Sequence, residues 1–476
     1  MARRAAVVVA VLASAAAVVP SGGAADAAAS TDWTAYEHGP AHSSAAFGDT
    51  AITTASVASL HPVWTFRAGP PRQTGAPGPR FDASPTVANG RVYIGARTGI
   101  EYALDVATGN VVWSKQLDWG SSTVCSAKGI TGTATVAPDP GTGATTVYAV
   151  GAHYLYALNA TTGARRWRVA IGPATADGEA RWYNWSSPTV VGGRIYLGLA
   201  ANCDDDKVRG GVVQVNQQTG KKLKTWYAVP SGHVGPSVWS SMAGDGTSVW
   251  VTTGNPDPAE TRVYDAFSIV RLSASTMAKQ EKWTTSTPIA DDLDFGSSPT
   301  FFSATIGGVA TDMIGACNKN GIYYAWRRTS LAAGPVWQRR VGNTGGTGVG
   351  ACITSAAYDG PGGTLFVAGN QTTVNGVAVQ GSVRALDPAT GAIRWEQPLT
   401  CLPNGSPTLN ATTHVLAVPL YGCLGSDQPG VSLFNSQTGA PLRTITTPGK
   451  VFAQPVFANG MLFIADESGV LTAYAP

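Results

Sequence analysis

Charge is scarce in this sequence of 476 residues: only 13 % are Asp, Glu, Lys or Arg, and the formal net charge is +3. Such a small net positive charge gives no reason to expect nucleic acid or an anionic membrane as a partner. The motifs Gly-x-Ser-x-Gly and His-Glu-x-x-His are missing, as is a phosphate-binding loop, and the six histidines are scattered. Neither Cys-x-x-Cys nor Cys-x-x-Cys-His occurs, so a typical zinc site and a covalently attached haem are not expected. No stretch predicts a helix of useful length.

The N-terminus has the pattern of a secretory signal peptide. Arg3 and Arg4 precede an Ala/Val run over residues 5–19, and small residues follow at 25–27. We expect cleavage near residue 28, a secreted protein, and no membrane span after cleavage. A membrane anchor is the alternative, but the run is short and rich in alanine.

Glycine and proline are abundant, at 57 and 30 residues, which is typical of short strands joined by tight turns. One unit recurs at residues 102–113, 156–167 and 384–395. Alternating apolar residues predict a strand, Asp/Asn-x-x-Thr-Gly predicts a turn with glycine at a positive φ, and a second strand ends in tryptophan. Four weaker copies are also present, and six closing tryptophans fall 54 to 59 residues apart. This period indicates a repeat architecture.

A second pair of strands precedes each hairpin and often begins with Ser-Pro-Thr. Four strands per period make one propeller blade, and eight such starts occur, near residues 83, 133, 187, 239, 298, 353, 406 and 454. The eighth blade lacks its closing strand, and residues 61–67 can supply it. The sequence therefore predicts an all-β, eight-bladed propeller of four-stranded blades over residues 57–476, closed by an N-terminal strand. We expect residues 29–56 to form an arm across one face of the ring.

Six cysteines in an exported chain predict three disulfides. Cys401 and Cys423 lie in one blade and are the favoured pair, and Cys317 with Cys352 and Cys125 with Cys203 would complete the set. The sequence by itself leaves the connectivity open.

Polar residues stand at equivalent places in neighbouring blades, where a propeller faces its central channel. Asp294 precedes a first strand, Asn255 and Lys319 follow second strands, and Trp239 stands where other blades have Ser or Ala. A carboxylate, an amide oxygen and a lysine beside a large aromatic suit a planar, oxygen-rich anion with a cation. Each residue also has a structural alternative, such as capping a turn or packing within the ring.

The repeats resemble those of the pyrroloquinoline quinone (PQQ)-dependent alcohol dehydrogenases. Three parts of the sequence carry the resemblance beyond the repeats: 238–241 (Val-Trp-Ser-Ser) with 253–256 (Thr-Gly-Asn-Pro), 292–296 (Asp-Leu-Asp-Phe-Gly) and 318–321 (Asn-Lys-Asn-Gly). The resemblance implies that Trp239 lies under the quinone, that Asn255 and Asp294 bind calcium, that Asp294 is the catalytic base, and that Lys319 contacts the reactive quinone carbonyls.

Two further positions complete the candidate site. The resemblance places the third calcium ligand within residues 204–206, at Asp205, where the family has Glu. Lys128, in the connection between blades 1 and 2, is a further candidate for binding the cofactor. That connection has the single Cys125 where methanol-oxidising members of the family have two adjacent cysteines.

The function that follows is oxidation of a small-molecule or polymeric alcohol through PQQ and Ca²⁺, with electrons passed to a separate acceptor. One alternative is a non-catalytic extracellular binding or scaffold propeller that kept the repeats. A second alternative is a propeller hydrolase or lyase that acts on polysaccharide through acids in the channel.

Overall fold

Antiparallel sheet accounts for almost all regular structure in the protein. The computed structural model describes residues 31–120, 125–173, 181–203, 207–286, 292–343, 350–360 and 363–476. The predicted signal peptide lies outside these residues. Eight four-stranded sheets follow one another along the chain, so the predicted eight-bladed propeller is confirmed. The strands of each sheet are lettered A to D.

The first strands of blades 1 to 4 begin within a few residues of the predicted starts. Blade 1 comprises Thr86–Ala88, Arg91–Gly95, Ile100–Asp105 and Val111–Gln116. Blade 2 comprises Thr135–Pro138, Thr145–Val150, Tyr154–Asn159 and Arg165–Ala170. Blade 3 comprises Thr189–Val191, Arg194–Ala201, Gly211–Asn216 and Lys222–Tyr227, with Trp182–Tyr183 added beside its second strand. Blade 4 comprises Ala243–Gly244, Ser248–Thr252, Ser268–Ser273 and Lys279–Thr284.

Blades 5 and 6 contain the longest strands. Blade 5 comprises Thr300–Ile306, Val309–Asn318, Ile322–Arg327 and Trp337–Arg340. Blade 6 comprises Ala357–Tyr358, Leu365–Val374, Val377–Leu386 and Ile393–Leu399. Blade 7 comprises Thr408–Asn410, Val415–Leu420, Gly430–Asn435 and Pro441–Thr446. Blade 8 comprises Val456–Ala458, Met461–Ala465, Val470–Ala475 and, from the other end of the chain, His61–Arg67.

Several short strands and turns lie outside the four-stranded sheets of the blades. Ala45–Ala46 pairs in parallel with strand A of blade 7, and Cys401–Leu402 pairs with Gly422–Cys423 as a two-stranded ribbon. Within the described residues the helices are single 3-10 turns: Tyr36–His38, Ser56–Ser59 and Leu331–Ala333. No helix in that part of the chain has the length and apolarity to cross a membrane.

The N-terminal strand closes the ring, as predicted. His61–Arg67 pairs antiparallel with Val470–Ala475, and Trp64 lies opposite Ala473. The register shifts between Pro62 and Trp64, so Val63 sits at an irregularity. Closure covers the edge that blade 8 would otherwise present to another chain.

The repeated turn has the conformation that its residues predict. In blade 1, Oδ1 of Asp105 accepts hydrogen bonds from the backbone N–H and the hydroxyl of Thr108, at 3.0 and 2.9 Å. Gly109 then takes φ of 69°, which favours glycine. In blade 4 the copy has no glycine, and Met277 takes the corresponding φ of 60°.

The closing tryptophan of one blade packs on the turn glycine of the next. A Cβ on Gly163 of blade 2 would lie 2.8 Å from Cδ2 of Trp113 of blade 1. The Trp113 indole also donates to the Ala160 carbonyl at 2.9 Å. The pairs with this geometry are Trp64–Gly109, Trp113–Gly163, Trp167–Gly220, Trp337–Gly391 and Trp395–Gly439. Tryptophan and glycine therefore recur together because each pair joins two blades.

Hydroxyls at the blade starts join the ring around its channel. The backbone N–H of Ser187 donates to Oγ of Ser241 at 2.9 Å, and that of Ser241 donates to Oγ of Ser298 at 2.9 Å. Equivalent bonds run between other neighbouring blades, and Gln454 N–H to Ser84 Oγ, at 2.9 Å, joins blade 8 to blade 1. We call these residues the serine ring: Ser84, Thr133, Ser187, Ser241, Ser298, Ser355 and Ser406.

The N-terminal arm lies across one face of the ring. Its backbone hydrogen-bonds to strand A of blades 1, 2, 4, 5, 6 and 7. For example, Gly244 donates to the Pro40 carbonyl at 2.8 Å, and Leu409 donates to the Ser44 carbonyl at 2.9 Å. The arm thus binds the inner strands of most blades before the chain enters blade 8.

Three disulfides are present, and the structure records no free cysteine. They join Cys125 to Cys203, Cys317 to Cys352 and Cys401 to Cys423, so the prediction of three bridges is confirmed, including its favoured pair. The first bridge joins the connection between blades 1 and 2 to blade 3. The other two lie between or within blades 5 to 7.

Candidate functional site

A cavity of about 350 Å³ occupies the central channel. Connections and strand ends from all eight blades line it, together with one residue of the N-terminal arm, Tyr36. We call it the site cavity. Its volume is within the range of cofactor and small-molecule pockets.

Asp294 lies in the wall of this cavity and is 2 % exposed. Its backbone is fixed because its carbonyl accepts from the Lys319 N–H at 3.0 Å, and Phe295 bridges to Asn318. The Trp239 indole donates to Oδ2 of Asp294 at 2.9 Å, and Nζ of Lys319 lies 2.7 Å from Oδ1. Burial raises the pKa of Asp294, while the Lys319 ammonium opposes that rise.

Lys319 bridges two carboxylates. Its Nζ lies 2.7 Å from Oδ1 of Asp292 as well as 2.7 Å from Oδ1 of Asp294. The amide of Asn255 donates to the same Asp292 oxygen at 2.7 Å. Burial acts to lower the pKa of Lys319, but Asp294 and Asp292 outweigh it and hold that pKa above its ordinary value. The lysine therefore remains a cation, and it neutralises part of the charge of the acid pair.

Trp239 extends from the start of blade 4 toward blades 5 and 6. A Cβ on Gly296 would lie 2.7 Å from Cη2 of Trp239 and 2.5 Å from Cγ2 of Ile353. Glycine at 296 is thus required for the indole to reach across. Nζ of Lys319 lies 5.3 Å from the Trp239 ring centroid, within cation–π range. The indole presents an aromatic surface to the cavity beside a buried base and a buried cation.

Lys128 is placed on the far side of the site, near blade 3. Its Nζ donates to Oδ1 of Asn202 at 2.9 Å and lies 4.9 Å from the Trp185 ring centroid. Asn202, Trp185 and Cys203 line the cavity, so Lys128 reaches the lining through Asn202. Burial lowers the pKa of Lys128 to about 8.

The structure thus brings Trp239, Asn255, Asp294 and Lys319 together in one network, while Asp205 lies outside the described residues. Sequence reasoning missed Asp292 as a member, although it stands two residues before Asp294. It also missed Tyr36. The run of acidic residues around position 292 could have indicated that Asp292 belongs to the site. Nothing in the sequence of the arm indicates that Tyr36 reaches the channel.

The family profile described as glucose/ethanol/alcohol dehydrogenase, β-propeller domain, which is named for PQQ, matches residues 33–348. The chain belongs to this family. The resemblance predicted from the repeats is therefore confirmed, and the protein carries a PQQ-type, alcohol dehydrogenase-like propeller. A second profile, outer membrane protein assembly factor BamB, matches residues 379–476. No curated protein matches the sequence.

Alcohol and methanol dehydrogenases are among the similar solved structures. A quinohemoprotein alcohol dehydrogenase from Comamonas testosteroni has a TM-score of 0.71 and 18 % identity, over 93 % of this chain and 80 % of that one. A europium-containing methanol dehydrogenase has a TM-score of 0.74 and 14 % identity, over 94 % and 98 %. BamB from Moraxella catarrhalis has a TM-score of 0.54 and 16 % identity, over 88 % and 98 %. At these identities the matches show the shared fold.

Proposed function

We propose that this protein is a secreted dehydrogenase that oxidises an alcohol with bound PQQ and Ca²⁺ and passes the electrons to a separate acceptor. One observation carries the proposal. The buried carboxylate of Asp294 is held between the Trp239 indole and the Lys319 ammonium in the wall of the 350 Å³ site cavity. The family match supports the same reaction class.

The described residues fit PQQ by shape and by charge. The Trp239 ring lies where a Cβ at residue 296 would collide with it, so the chain leaves room for a flat aromatic surface. A planar tricyclic anion can stack on that surface. Lys319 can contact its carbonyl oxygens, and Lys128, through its place beside Asn202, can attract its carboxylates. PQQ, when bound, supplies the quinone that accepts the electrons of the alcohol.

The proposed Ca²⁺ would be held by oxygen donors of blades 4 and 5. Asn255 and Asp294 provide an amide oxygen and a carboxylate, which are hard oxygen ligands of the kind Ca²⁺ takes. Asp205 would complete the set. Bound calcium would act there as a Lewis acid.

Asp294 is the group that takes the alcohol's proton. A general base works best when its pKa approaches the working pH, and burial raises the pKa of Asp294 in that direction. Trp239 and Lys319 hold its two oxygens and so fix the direction from which an alcohol can approach. Lys319, which stays charged, stabilises negative charge that develops on oxygen near Asp294.

The test compares Asp294→Asn with a matched control, Asp312→Asn. Asp312 is also in blade 5, but its side chain is 62 % exposed and pairs with Arg328 away from the cavity. With PQQ and Ca²⁺ present, the wild type and Asp312→Asn should oxidise primary alcohols, with dye reduction as the readout. Asp294→Asn should lose at least about a hundredfold in kcat, since the amide cannot accept the proton. Equal activity of the two variants would refute the role of Asp294.

Binding is measured separately from turnover. Isothermal titration of the wild type with PQQ in the presence of Ca²⁺ should show one site per chain. An absence of binding would refute the proposed cofactor. Secretion is tested by N-terminal sequencing of protein recovered from the medium, which should begin near residue 28 or 29.

A non-catalytic binding propeller is the second candidate. It is favoured by the BamB profile over residues 379–476 and by the BamB structure, which this chain matches along most of its length. The Lys319 bridge between Asp292 and Asp294 is also compatible with a purely structural ion-pair network. This candidate predicts that the protein does not bind PQQ. It also predicts that Asp294→Asn lowers stability only by the loss of the Lys319–Asp294 ion pair.

A further inference from the structure

Tyr36, in the arm turn Tyr36–His38, lies at two cavities. Tyr36 lines the site cavity and also a second cavity of about 100 Å³, which lies between the arm and the first strands of blades 2 and 3. Ser187 of the serine ring lines both as well. His42, further along the arm, lines the second cavity. The wall between the two spaces therefore includes one phenol and one hydroxyl.

Glu37, the residue after Tyr36, carries a buried carboxyl group. Glu37 is 0 % exposed, and the hydroxyl of Ser406 donates to its Oε1 at 3.1 Å. Its Oε2 lies 3.7 Å from Nδ1 of His42, which itself contacts the Pro299 carbonyl at 3.0 Å. The side chain thus lies between the serine ring and a residue of the second cavity.

The surroundings of Glu37 hold it in its neutral form. The titratable groups that face it are Tyr36, His42 and Tyr323, and the ion pairs of the described residues include none between Glu37 and a lysine or arginine. Burial raises the pKa of Glu37 to about 8, although hydrogen bonds from Ser355, Tyr36 and Ser406 oppose the rise. Burial lowers the pKa of His42 to about 4, so the imidazole is neutral.

The arm adopts unfavourable backbone conformations here. Glu37, His38, His42 and Ser44 all have φ between 51° and 70°, a region that residues other than glycine seldom adopt. Such conformations persist where the surroundings enforce them, as the bond from Ser44 N–H to the Glu37 carbonyl does at 3.0 Å. A buried acid on a strained turn, with no lysine or arginine paired to it among the described residues, points to a functional reason for its presence.

We propose that Tyr36 and Glu37 form a path by which protons leave the site cavity toward the second cavity, beneath the arm. The path rests on the proposed alcohol oxidation. In that reaction one C–H and one O–H bond of the alcohol break and a C=O bond forms. Two electrons pass, one each, to two equivalents of a separate one-electron carrier that takes up no proton, so two protons must leave the cavity. The Tyr36 phenol meets the site cavity and hydrogen-bonds to the Glu37 carboxyl. The carboxyl receives a proton on one oxygen as it releases the proton of the other to water in the second cavity, which His42 lines. The carboxyl then never carries a buried charge for long.

Glu37→Gln is the informative change, because glutamine keeps the size and neutral hydrogen bonding of the protonated acid but does not relay protons. We expect kcat to fall at least about tenfold, with KM unchanged and a larger solvent deuterium isotope effect. Glu37→Asp should recover part of kcat. Ser44→Ala is the control for seating of the arm, because it removes the bond from Gln454 to Ser44, 2.9 Å long, and leaves the path intact. It should keep the wild-type kcat.

Infrared difference spectra of the cofactor-free protein supply a readout that is independent of turnover. The wild type should show a protonated carboxyl band at pH 7 that disappears as the pH rises through about 8. Glu37→Gln should lose the Glu37 part of that band and keep the part from Glu101, whose pKa is also raised to about 8 by burial. An ionised Glu37 at pH 7 would overturn the path. So would a Glu37→Gln enzyme with unchanged kcat and isotope effect, or an equal loss in Ser44→Ala. A wild type without PQQ-dependent oxidation would instead overturn the proposed function, and the path with it.

Discussion

Replacing Gly163 with alanine tests the contact that joins blades 1 and 2, and Gly143 supplies a matched control. Both glycines close an Asp/Asn-x-x-Thr-Gly turn of blade 2, and both have φ of 69°. A Cβ on Gly143 meets nothing within 4 Å, whereas one on Gly163 would lie 2.8 Å from Cδ2 of Trp113. The two variants therefore share the backbone strain and differ only in the collision.

The backbone strain and the collision with Trp113 each have an expected cost in stability. An alanine in the left-handed region costs about 1–2 kcal/mol, and this term is common to both variants. Trp113 is 8 % exposed and its indole is held by the 2.9 Å bond to the Ala160 carbonyl, so the ring cannot withdraw without losing that bond. Overpacking of this kind costs about 1–3 kcal/mol more. Because one kcal/mol moves the Tm of a unit this large by about 1 °C, Gly163→Ala should melt about 1–3 °C below Gly143→Ala.

Calorimetry and denaturant unfolding of the two variants supply the comparison. In a Trp113→Leu background, which removes the indole, the difference between the two glycine changes should disappear. Equal losses of stability in the native background would show that the tryptophan does not constrain the turn. That result would refute our explanation of why glycine and tryptophan recur together.

Four further outcomes are expected. Deleting residues 31–67 should expose the edge of Val470–Ala475 and yield aggregated or far less stable protein on size-exclusion chromatography; a monomer with unchanged Tm would contradict ring closure. Thiol titration of the denatured, unreduced protein should find no free cysteine, and two or more would contradict the three bridges. Trp239→Ala should weaken PQQ binding in calorimetric titration by at least about 0.5–1.5 kcal/mol, the stacking contribution, and unchanged affinity would argue against stacking. Burial raises the pKa of Glu101 to about 8, so its contribution to stability is fully present below its ordinary pKa and is lost as the pH rises toward 8. Glu101→Gln should therefore reduce the pH dependence of stability between those limits, by up to about 1.4 kcal/mol per pH unit.

The ring could be read from the sequence because its determinants are local. Alternation makes each strand, Asp105 and Gly109 make their turn through bonds within five residues, and the same pattern returns in blade after blade. Even closure was predictable, since the missing strand of blade 8 has one obvious source in residues 61–67. The convergence of Trp239, Asp294 and Lys319 followed from their equivalent positions in adjacent blades, because a propeller directs such positions toward one channel.

The tertiary structure alone decided which groups complete the site. Asp292 joins Lys319 because the connection before blade 5 folds back on the end of strand B, a geometry with no periodic signal. The arm has no repeat, and Glu37 meets Ser406 across 369 residues of sequence. Such contacts form between segments that are distant in sequence and that only the folded ring brings together. No local sequence pattern therefore predicts the residues that make them. The repeated pattern was enough to predict the ring and the polar positions of its channel, and only the folded chain placed Tyr36 at the wall of that channel with Glu37 buried beside it.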